Sequence, residues 1–189
     1  MKTTNLFYLF IIVNILGILP AMGNSGKPDE DEGLIFTEEM LDKVIPLITE
    51  SEALLLKAID KQNINELKRL LKKGINLNYL EPYIDMSPLM VSISVRNPNP
   101  AIVKALIDAK ANPNKQNNTG LTALMIAVKV DAPLKIVTML LDNGANPHVK
   151  DRDKKTAIDY AEHNKNRSKN SEKIDLLLKS YQKQRYVGN

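Results

Sequence analysis

The chain has no cysteine and no tryptophan, and only 2 of its 189 residues are histidine. Without cysteine it forms no disulfide, holds no thiolate-bound metal and offers no thiol nucleophile. With only His148 and His163, the common Ser–His and Cys–His catalytic schemes have few members to draw on. The 8 glycines are scattered, so no phosphate-binding loop is formed. These absences weigh against an enzyme and predict neither a cofactor nor a metal.

Aromatic residues are also scarce, at 5% of the chain, although hydrophobic residues as a whole reach 43%. Few aromatic rings leave little surface on which nucleic-acid bases stack, which weighs against a nucleic-acid partner. No window after residue 23 is apolar enough to span a membrane. The composition therefore favours a compact helical domain built from aliphatic side chains.

A short phrase recurs along the chain about every 34 residues. Ser87-Pro88-Leu89-Met90 returns as Thr122-Ala123-Leu124-Met125 and as Thr156-Ala157-Ile158-Asp159, at offsets of 35 and 34 residues. Small residues keep the same register in each unit: Ala58, Ser92, Ala127 and Ala161. A fixed period of this size indicates stacked supersecondary units rather than one globular core.

Each unit is predicted to be a helix–turn–helix. The Ser or Thr that opens the phrase can cap a helix, and Pro or Ala suits the first turn. The later stretch 136–141 places aliphatic groups on one stripe of a second helix. Gly74 and Gly144 are expected to end that helix in the left-handed conformation, and Lys110 takes the same place at a cost of about 1 kcal/mol.

The pattern resembles the ankyrin repeat, whose units read T-P-L-H-x-A-A followed by I-V-x-L-L-L-x-x-G-A-x-x-N. The resemblance covers about residues 51–181 and is strongest over 87–114 and 122–147. It implies an all-α ankyrin-repeat solenoid of helix-turn-helix units with short β-hairpin-like connecting loops. The family's histidine, which joins neighbouring repeats by hydrogen bonds, is replaced by Met90, Met125 and Asp159, so a less stiff array is expected.

The two end repeats depart from the pattern. The first repeat lacks a capping residue before Ala53, and the last has a polar insertion over 163–173, which we expect to be a loop. We divide the chain into a signal peptide at 1–23, an acidic flexible linker at 24–33, a capping helix at 34–50, an ankyrin domain at 51–181 and a basic C-terminal tail at 182–189. The repeats within the domain fall at about 51–80, 82–115, 117–150 and 151–181.

The signal peptide is predicted from three features. Lys2 precedes an apolar run over 6–19, and small residues, Ala21 and Gly23, stand before the expected cleavage site at Gly23/Asn24. The run is short and broken by Asn14, which favours cleavage over a spanning anchor. We therefore expect a secreted or periplasmic protein, membrane-anchored only if uncleaved. Export without cysteine is typical of a bacterial protein.

Charge is distributed unevenly along the chain. Residues 29–52 are acidic, and the region from Lys150 onward is basic, although the formal net charge is only +4. One interpretation is solubility and capping of the last repeat. The other is attraction to an anionic partner, namely an acidic protein or, more weakly, a membrane surface near Tyr181 and Tyr186.

The resemblance implies partner binding through the hairpin tips and the exposed side of the first helices. Carried onto this sequence, those positions are Tyr83, Ile84, Met86, Asn118, Thr119, Leu121, Lys129, Arg152, Asp153, Lys155 and His163. The apolar members either bind a partner or pack between neighbouring hairpins. The stretch 151–153 lacks the glycine and glutamate of a calcium loop, so we interpret it as a solvated tip.

These features predict a non-enzymatic protein–protein interaction module that has a protein partner and no small-molecule substrate. The alternative is a periplasmic envelope structural or stabilising factor that its basic C-terminal region holds to an anionic surface.

Overall fold

The computed structural model describes residues 49–184, which form four stacked helix pairs. The predicted signal peptide, the acidic linker and nearly all of the predicted capping helix lie outside this range. The helices are α1 (Glu50–Asp60), α2 (Ile64–Leu71), α3 (Pro88–Ser94), α4 (Pro100–Asp108), α5 (Ala123–Lys129), α6 (Leu134–Asp142), α7 (Ala157–Asn164) and α8 (Lys169–Gln184). First helices contact first helices, and second helices contact second helices, from one pair to the next.

The predicted helix starts are confirmed. The hydroxyl groups of Ser87, Thr122 and Thr156 accept hydrogen bonds from backbone N–H groups three residues on, at 3.4, 3.3 and 3.2 Å. The expectation that the first repeat lacks a capping residue is wrong. Its first helix begins one turn earlier than the 34-residue register predicts. Thr49 caps that helix, and the side chain of Glu52 accepts from the Thr49 N–H at 2.7 Å.

A single apolar core runs through all four repeats. The second helices contribute the predicted stripe, and the first helices contribute the recurring leucine, which is fully buried as Leu89 and Leu124. The small residues of the repeated register are all buried, at 3% exposure or less: Ala58, Ser92, Ala127 and Ala161. Their small side chains allow the helices to pack closely, as the sequence predicted.

Left-handed residues recur at three places in the period, 34 to 36 residues apart. The residues between the two helices of a pair are Gln62, Asn97 and Asp131. Those after the second helix are Gly74, Lys110 and Gly144. Those at the hairpin tips are Asp85, Gly120 and Lys154. The predicted left-handed conformation of Lys110 is confirmed by its φ of 69°. The same backbone turns are thus repeated whether or not glycine is present.

Asparagines join the loops of neighbouring repeats, which the sequence analysis did not foresee. The side-chain oxygen of Asn78 accepts from the Asn112 N–H at 2.8 Å, and that of Asn114 accepts from the Asn146 N–H at 2.7 Å. The amide of Asn114 also donates to the Gly144 carbonyl at 2.8 Å. In the ankyrin family a histidine joins neighbouring repeats by hydrogen bonds. Here these asparagine hydrogen bonds join the repeats.

The expected loop over 163–173 is wrong. Helix α7 continues to Asn164 and α8 begins at Lys169, so only four residues separate them. Two of the polar side chains are bonded to the preceding repeat: Ser168 donates to Asp131 Oδ2 at 2.6 Å, and Asn170 donates to Asp131 Oδ1 at 2.7 Å. The polar composition of 163–173 indicated a loop. Its polar side chains instead form hydrogen bonds between the third and fourth repeats.

The outer face of the fourth repeat is charged where the third repeat is apolar. Val128, Val137 and Leu141 are buried in the third repeat. The residues at the equivalent positions of the fourth repeat, 34 or 38 residues later, are Glu162, Asp175 and Lys179. Lys179 Nζ lies 2.9 Å from Asp175 Oδ2 and 4.0 Å from Glu162 Oε1. A charged face of this kind is typical of a terminal repeat, because it needs no neighbouring repeat to cover it.

Candidate functional site: the hairpin-tip surface

Three hairpin tips connect the repeats, at 81–86, 117–121 and 151–155. We use the term tip surface for these tips together with Lys129 at the end of α5. Each tip is closed by a backbone bond: Glu81 N–H to Met86 O at 2.9 Å, Asn117 N–H to Leu121 O at 3.1 Å and Asp151 N–H to Lys155 O at 3.0 Å. Only the Glu81–Met86 pair forms a β-bridge, and residues 49–184 contain no longer strand.

One side-chain acceptor organises each tip. Glu81 Oε2 accepts from the N–H groups of Tyr83 and Ile84 at 2.8 and 2.7 Å. Asn117 Oδ1 accepts from Leu121 N–H at 2.8 Å, and Asp151 Oδ1 accepts from Lys155 N–H at 2.9 Å. An acid or amide that bonds to the backbone a few residues on holds a tight turn in one conformation.

Neighbouring tips are also bonded to each other. Asn118 N–H donates to Asp85 Oδ2 at 2.9 Å, and Arg152 N–H donates to Thr119 O at 3.0 Å. At Gly120, whose φ is 84°, an added Cβ would lie 2.7 Å from Asp151 Cα, so the third tip approaches the second too closely for any other residue. The tips therefore form a row with fixed spacing.

The apolar residues predicted to bind a partner are half-buried: Tyr83, Ile84, Met86 and Leu121. Ile84, Met86 and Leu121 pack against the core, as the packing interpretation expected. Part of each side chain remains exposed at the tip. These residues mark the apolar end of the tip surface, and Tyr83 and Ile84 are positioned there by Glu81.

Glu81 itself is 1% exposed. Burial raises the pKa of its carboxyl group, and the hydrogen bonds from the Ile84 and Tyr83 N–H groups oppose that rise. Its second oxygen, Oε1, has no hydrogen-bond partner among the described residues. The sequence analysis missed Glu81, although Glu81, Asn117 and Asp151 recur 36 and 34 residues apart ahead of each capping hydroxyl.

The polar residues predicted to bind a partner are exposed, and all but Lys129 lie on the second and third tips: Asn118, Thr119, Lys129, Arg152, Asp153 and Lys155. The prediction of a solvated tip at 151–153 is confirmed for Arg152 and Asp153 but wrong for Asp151, which is 7% exposed. His163 is exposed near the end of α7, and His148 is half-buried.

Lys129 and Lys155 both lie close to the ring of Tyr160, which the sequence pattern did not indicate as a site residue. Their Nζ atoms lie 4.9 and 5.9 Å from the centroid of the Tyr160 ring. The Tyr160 hydroxyl donates to Asp151 Oδ2 at 2.5 Å. That hydrogen bond and burial raise the pKa of Tyr160 to about 12. Tyr160 stands where the third repeat has Ile126, so the repeat register could have identified it.

The pKa of Asp151 is lowered in this arrangement. Burial alone would raise the pKa of Asp151, but hydrogen bonds from the Tyr160 hydroxyl and from the Lys155 and Asp153 backbone, with the charge of Lys129, lower it overall. Among residues 49–184, no group of three or more His, Cys, Asp or Glu side chains is placed to hold a metal ion. The same range contains no helix long and apolar enough to cross a membrane.

Comparison with known proteins identifies the architecture. The family model described as ankyrin repeats (3 copies) matches residues 89–186, about half of the chain. This chain belongs to the ankyrin repeat family, whose members are generally protein–protein interaction modules and typically not enzymes. The predicted all-α repeat fold is confirmed.

Curated relatives come from viruses and a bacterium. An ankyrin repeat protein of Acanthamoeba polyphaga mimivirus is 37% identical over 91 residues, which is 47% of this chain and 56% of the relative. One of Borreliella burgdorferi is 25% identical over 65% of this chain and 30% of the relative, and one of Fowlpox virus is 35% identical over 58% and 32%. The chain thus spans about half or less of these relatives.

Proposed function

We propose that this protein is an exported, non-enzymatic module that binds a protein partner through its tip surface. The observation that carries the proposal is the row of tips, each held by its own acceptor and bonded to the next. The tip backbone is thereby fixed, while the polar side chains of the second and third tips remain exposed. A preorganised surface loses little conformational entropy when a partner binds.

The surface is tested by placing a photo-crosslinking amino acid at Asn118 or Arg152, both exposed at the tips, and at Lys135 on α6 as a control. Crosslinking in the producing cells should join a partner protein at the tip positions and not at Lys135. Crosslinks at Lys135 alone would place the partner on the second helices and contradict the proposal.

Export is the second element of the proposal, and it rests on the composition of residues 1–23. Fractionation of the producing cells with intact-mass measurement tests it. A species beginning at Asn24 in the periplasm or medium is expected. A full-length species in the membrane fraction would instead mean that the apolar start anchors the protein.

The alternative function is an envelope factor held to an anionic surface by the basic C-terminal region. Lys169 and Lys173 favour it, since both are exposed and belong to no ion pair among the described residues. Binding to phosphatidylglycerol vesicles should then be strong at low salt and weaken steeply as salt is added. Absent or salt-insensitive binding would exclude this alternative.

A further inference from the structure

The fourth-repeat end of the tip surface carries a cluster of cations around one aromatic ring. Lys129 comes from the end of α5, Lys155 from the third tip and Tyr160 from α7, so three separate elements bring these groups together. The face of an aromatic ring is electron-rich and attracts ammonium groups. The Tyr160 ring thus has two ammonium groups within 5.9 Å of its centroid.

The nearest carboxylate does not pair with these lysines. Asp151 is buried, and its oxygens accept from the Tyr160 hydroxyl and the Lys155 backbone N–H. No ion pair within residues 49–184 includes Lys129 or Lys155. The charge of Lys129 acts on Asp151 and that of Lys155 acts on Asp159, but neither ammonium group is engaged in an ion pair among the described residues, so both can bind an external anion.

Two arginines belong to the same region: one contacts the backbone of Lys129, and the other shares a tip with Lys155. Arg167 Nη1 donates to the Lys129 carbonyl at 3.4 Å, and Arg152 is exposed on the same tip as Lys155. We call Lys129, Arg152, Lys155, Tyr160 and Arg167 the basic patch. Exposed carboxylates, Asp153 and Asp159, flank it on the third tip and on α7. The patch is thus a local positive site with negative borders rather than an extended basic surface.

We infer that the basic patch binds an acidic peptide segment of the partner protein, whose Asp or Glu carboxylates pair with Lys129 and Lys155 beside the Tyr160 ring. This inference rests on the proposed function and specifies the chemistry of the partner. Arginine at Arg152 and Arg167 can engage further carboxylates. The flanking Asp153 and Asp159 would repel a uniformly anionic bilayer, which favours a discrete peptide over a membrane.

A fluorescein-labelled hexaglutamate peptide is a suitable probe, with hexaglutamine as the neutral control. Anisotropy would be measured on the protein as recovered from cells that express the full chain. Hexaglutamate should bind and hexaglutamine should not, and the affinity should fall as NaCl is raised. The double variant Lys129→Met with Lys155→Met should bind hexaglutamate about tenfold more weakly.

The matched control is Lys104→Met with Lys135→Met, which removes the same charge from exposed positions on α4 and α6. Its affinity for hexaglutamate should stay within about twofold of the parent protein. Circular dichroism establishes that each variant is folded.

Three results would overturn the inference. They are no hexaglutamate binding by the parent protein, an equal loss in both double variants, and tighter binding of phosphatidylglycerol vesicles that depends on Lys129 and Lys155. A partner crosslinked at the tips but unaffected by the Lys129 and Lys155 variant would leave the proposed function standing and remove only the acidic-peptide assignment. Crosslinks confined to Lys135 would remove the proposed function itself.

Discussion

The third and fourth repeats share a backbone plan but differ in what they present to the next position in the stack. The third repeat presents buried valine and leucine, exemplified by Val137 and Leu141. The fourth presents an ion cluster in which Lys179 lies between Asp175 and Glu162. The helices occupy equivalent places in both, so the difference is one of side chains. Interior and terminal repeats are thus distinguished by a few substitutions at a single face.

The ion cluster of the fourth repeat has a cost in stability. Asp175 is 5% exposed, and its Oδ1 has no hydrogen-bond partner among the described residues. Burying a carboxylate in this way opposes folding, and the ion pair with Lys179 offsets only part of that cost. Closing the end of the array therefore lowers stability locally while preventing further stacking.

The largest effect is expected when the third repeat receives an acidic residue that the fourth repeat has at the equivalent position. Val137→Asp places an unpaired carboxylate at a fully buried position, and we expect a loss of about 3–5 kcal/mol in the free energy of unfolding. Urea denaturation followed by circular dichroism measures it. A loss below about 1 kcal/mol would show that the α6–α8 contact is not part of the core.

The reverse substitutions test whether the charged face prevents association between copies. Asp175→Val with Lys179→Leu gives the fourth repeat the apolar face of the third, and the unfolding free energy should change little or rise. The new face should cause association between copies, which sedimentation velocity would detect as concentration-dependent dimers. A variant that remains monomeric would mean that this face is already covered.

Truncating the recurring core residue in each repeat should give unequal losses. Leu124→Ala should cost about 2–5 kcal/mol, because Leu124 is fully buried between repeats on both sides. The equivalent change in the fourth repeat, Ile158→Ala, should cost less, since Ile158 is 9% exposed at the end of the stack. Urea midpoints of the two variants provide the test. Equal losses would contradict the distinction between interior and terminal repeats.

The polar contact between these two repeats contributes less than the core. Asn170→Ala removes bonds to Asp131 Oδ1, Asp131 O and Ala132 O, and should cost about 1–2 kcal/mol. Hydrogen exchange should quicken in α8 and stay unchanged in α1 to α4. Asn166→Ala is the control, because Asn166 is exposed and makes no side-chain hydrogen bond within the described residues. Uniform faster exchange along the chain would contradict a local contact.

The smallest expected effect concerns Tyr160, which replaces the third repeat's Ile126. Its folded pKa is raised from 10.0 to about 12, so its contribution to stability is complete below pH 10 and is lost as the pH rises through about 12. Tyr160→Phe should abolish that part of the pH dependence. The chain has no tryptophan, so alkaline absorbance reports tyrosine alone. A titration step near pH 12 that persists unchanged in the variant would contradict the assignment.

The repeat fold could be predicted because its signals are local and recurrent. A hydroxyl before a Leu, a small residue three places later and a left-handed position after the second helix each have a physical cause within a few residues. Lys110 shows how strong this register is, since it adopts φ 69° without being glycine. The period identified these positions even where the residue type departed from the pattern.

The errors arose where a polar residue has a partner outside its own loop, either in another repeat or in the following helix. Ser168 and Asn170 indicated a loop, yet they bond to Asp131 some 37 and 39 residues away. Asp151 indicated a solvated tip, yet Tyr160 and the tip backbone bury it. The basic patch was missed in part because Tyr160 carries no binding signal of its own. A local sequence pattern does not indicate hydrogen-bond partners that lie outside the loop.

The charged end face also fixes how an array of this kind can lengthen. A duplicate of the third repeat could be inserted ahead of residue 151. Val137 and Leu141 of the original and their counterparts in the copy would then each face an apolar neighbouring repeat. A repeat appended after α8 would instead meet Glu162, Asp175 and Lys179. Duplication of an interior repeat therefore keeps apolar contacts on both sides of the new copy, whereas a repeat appended after α8 would require substitutions at these three charged positions.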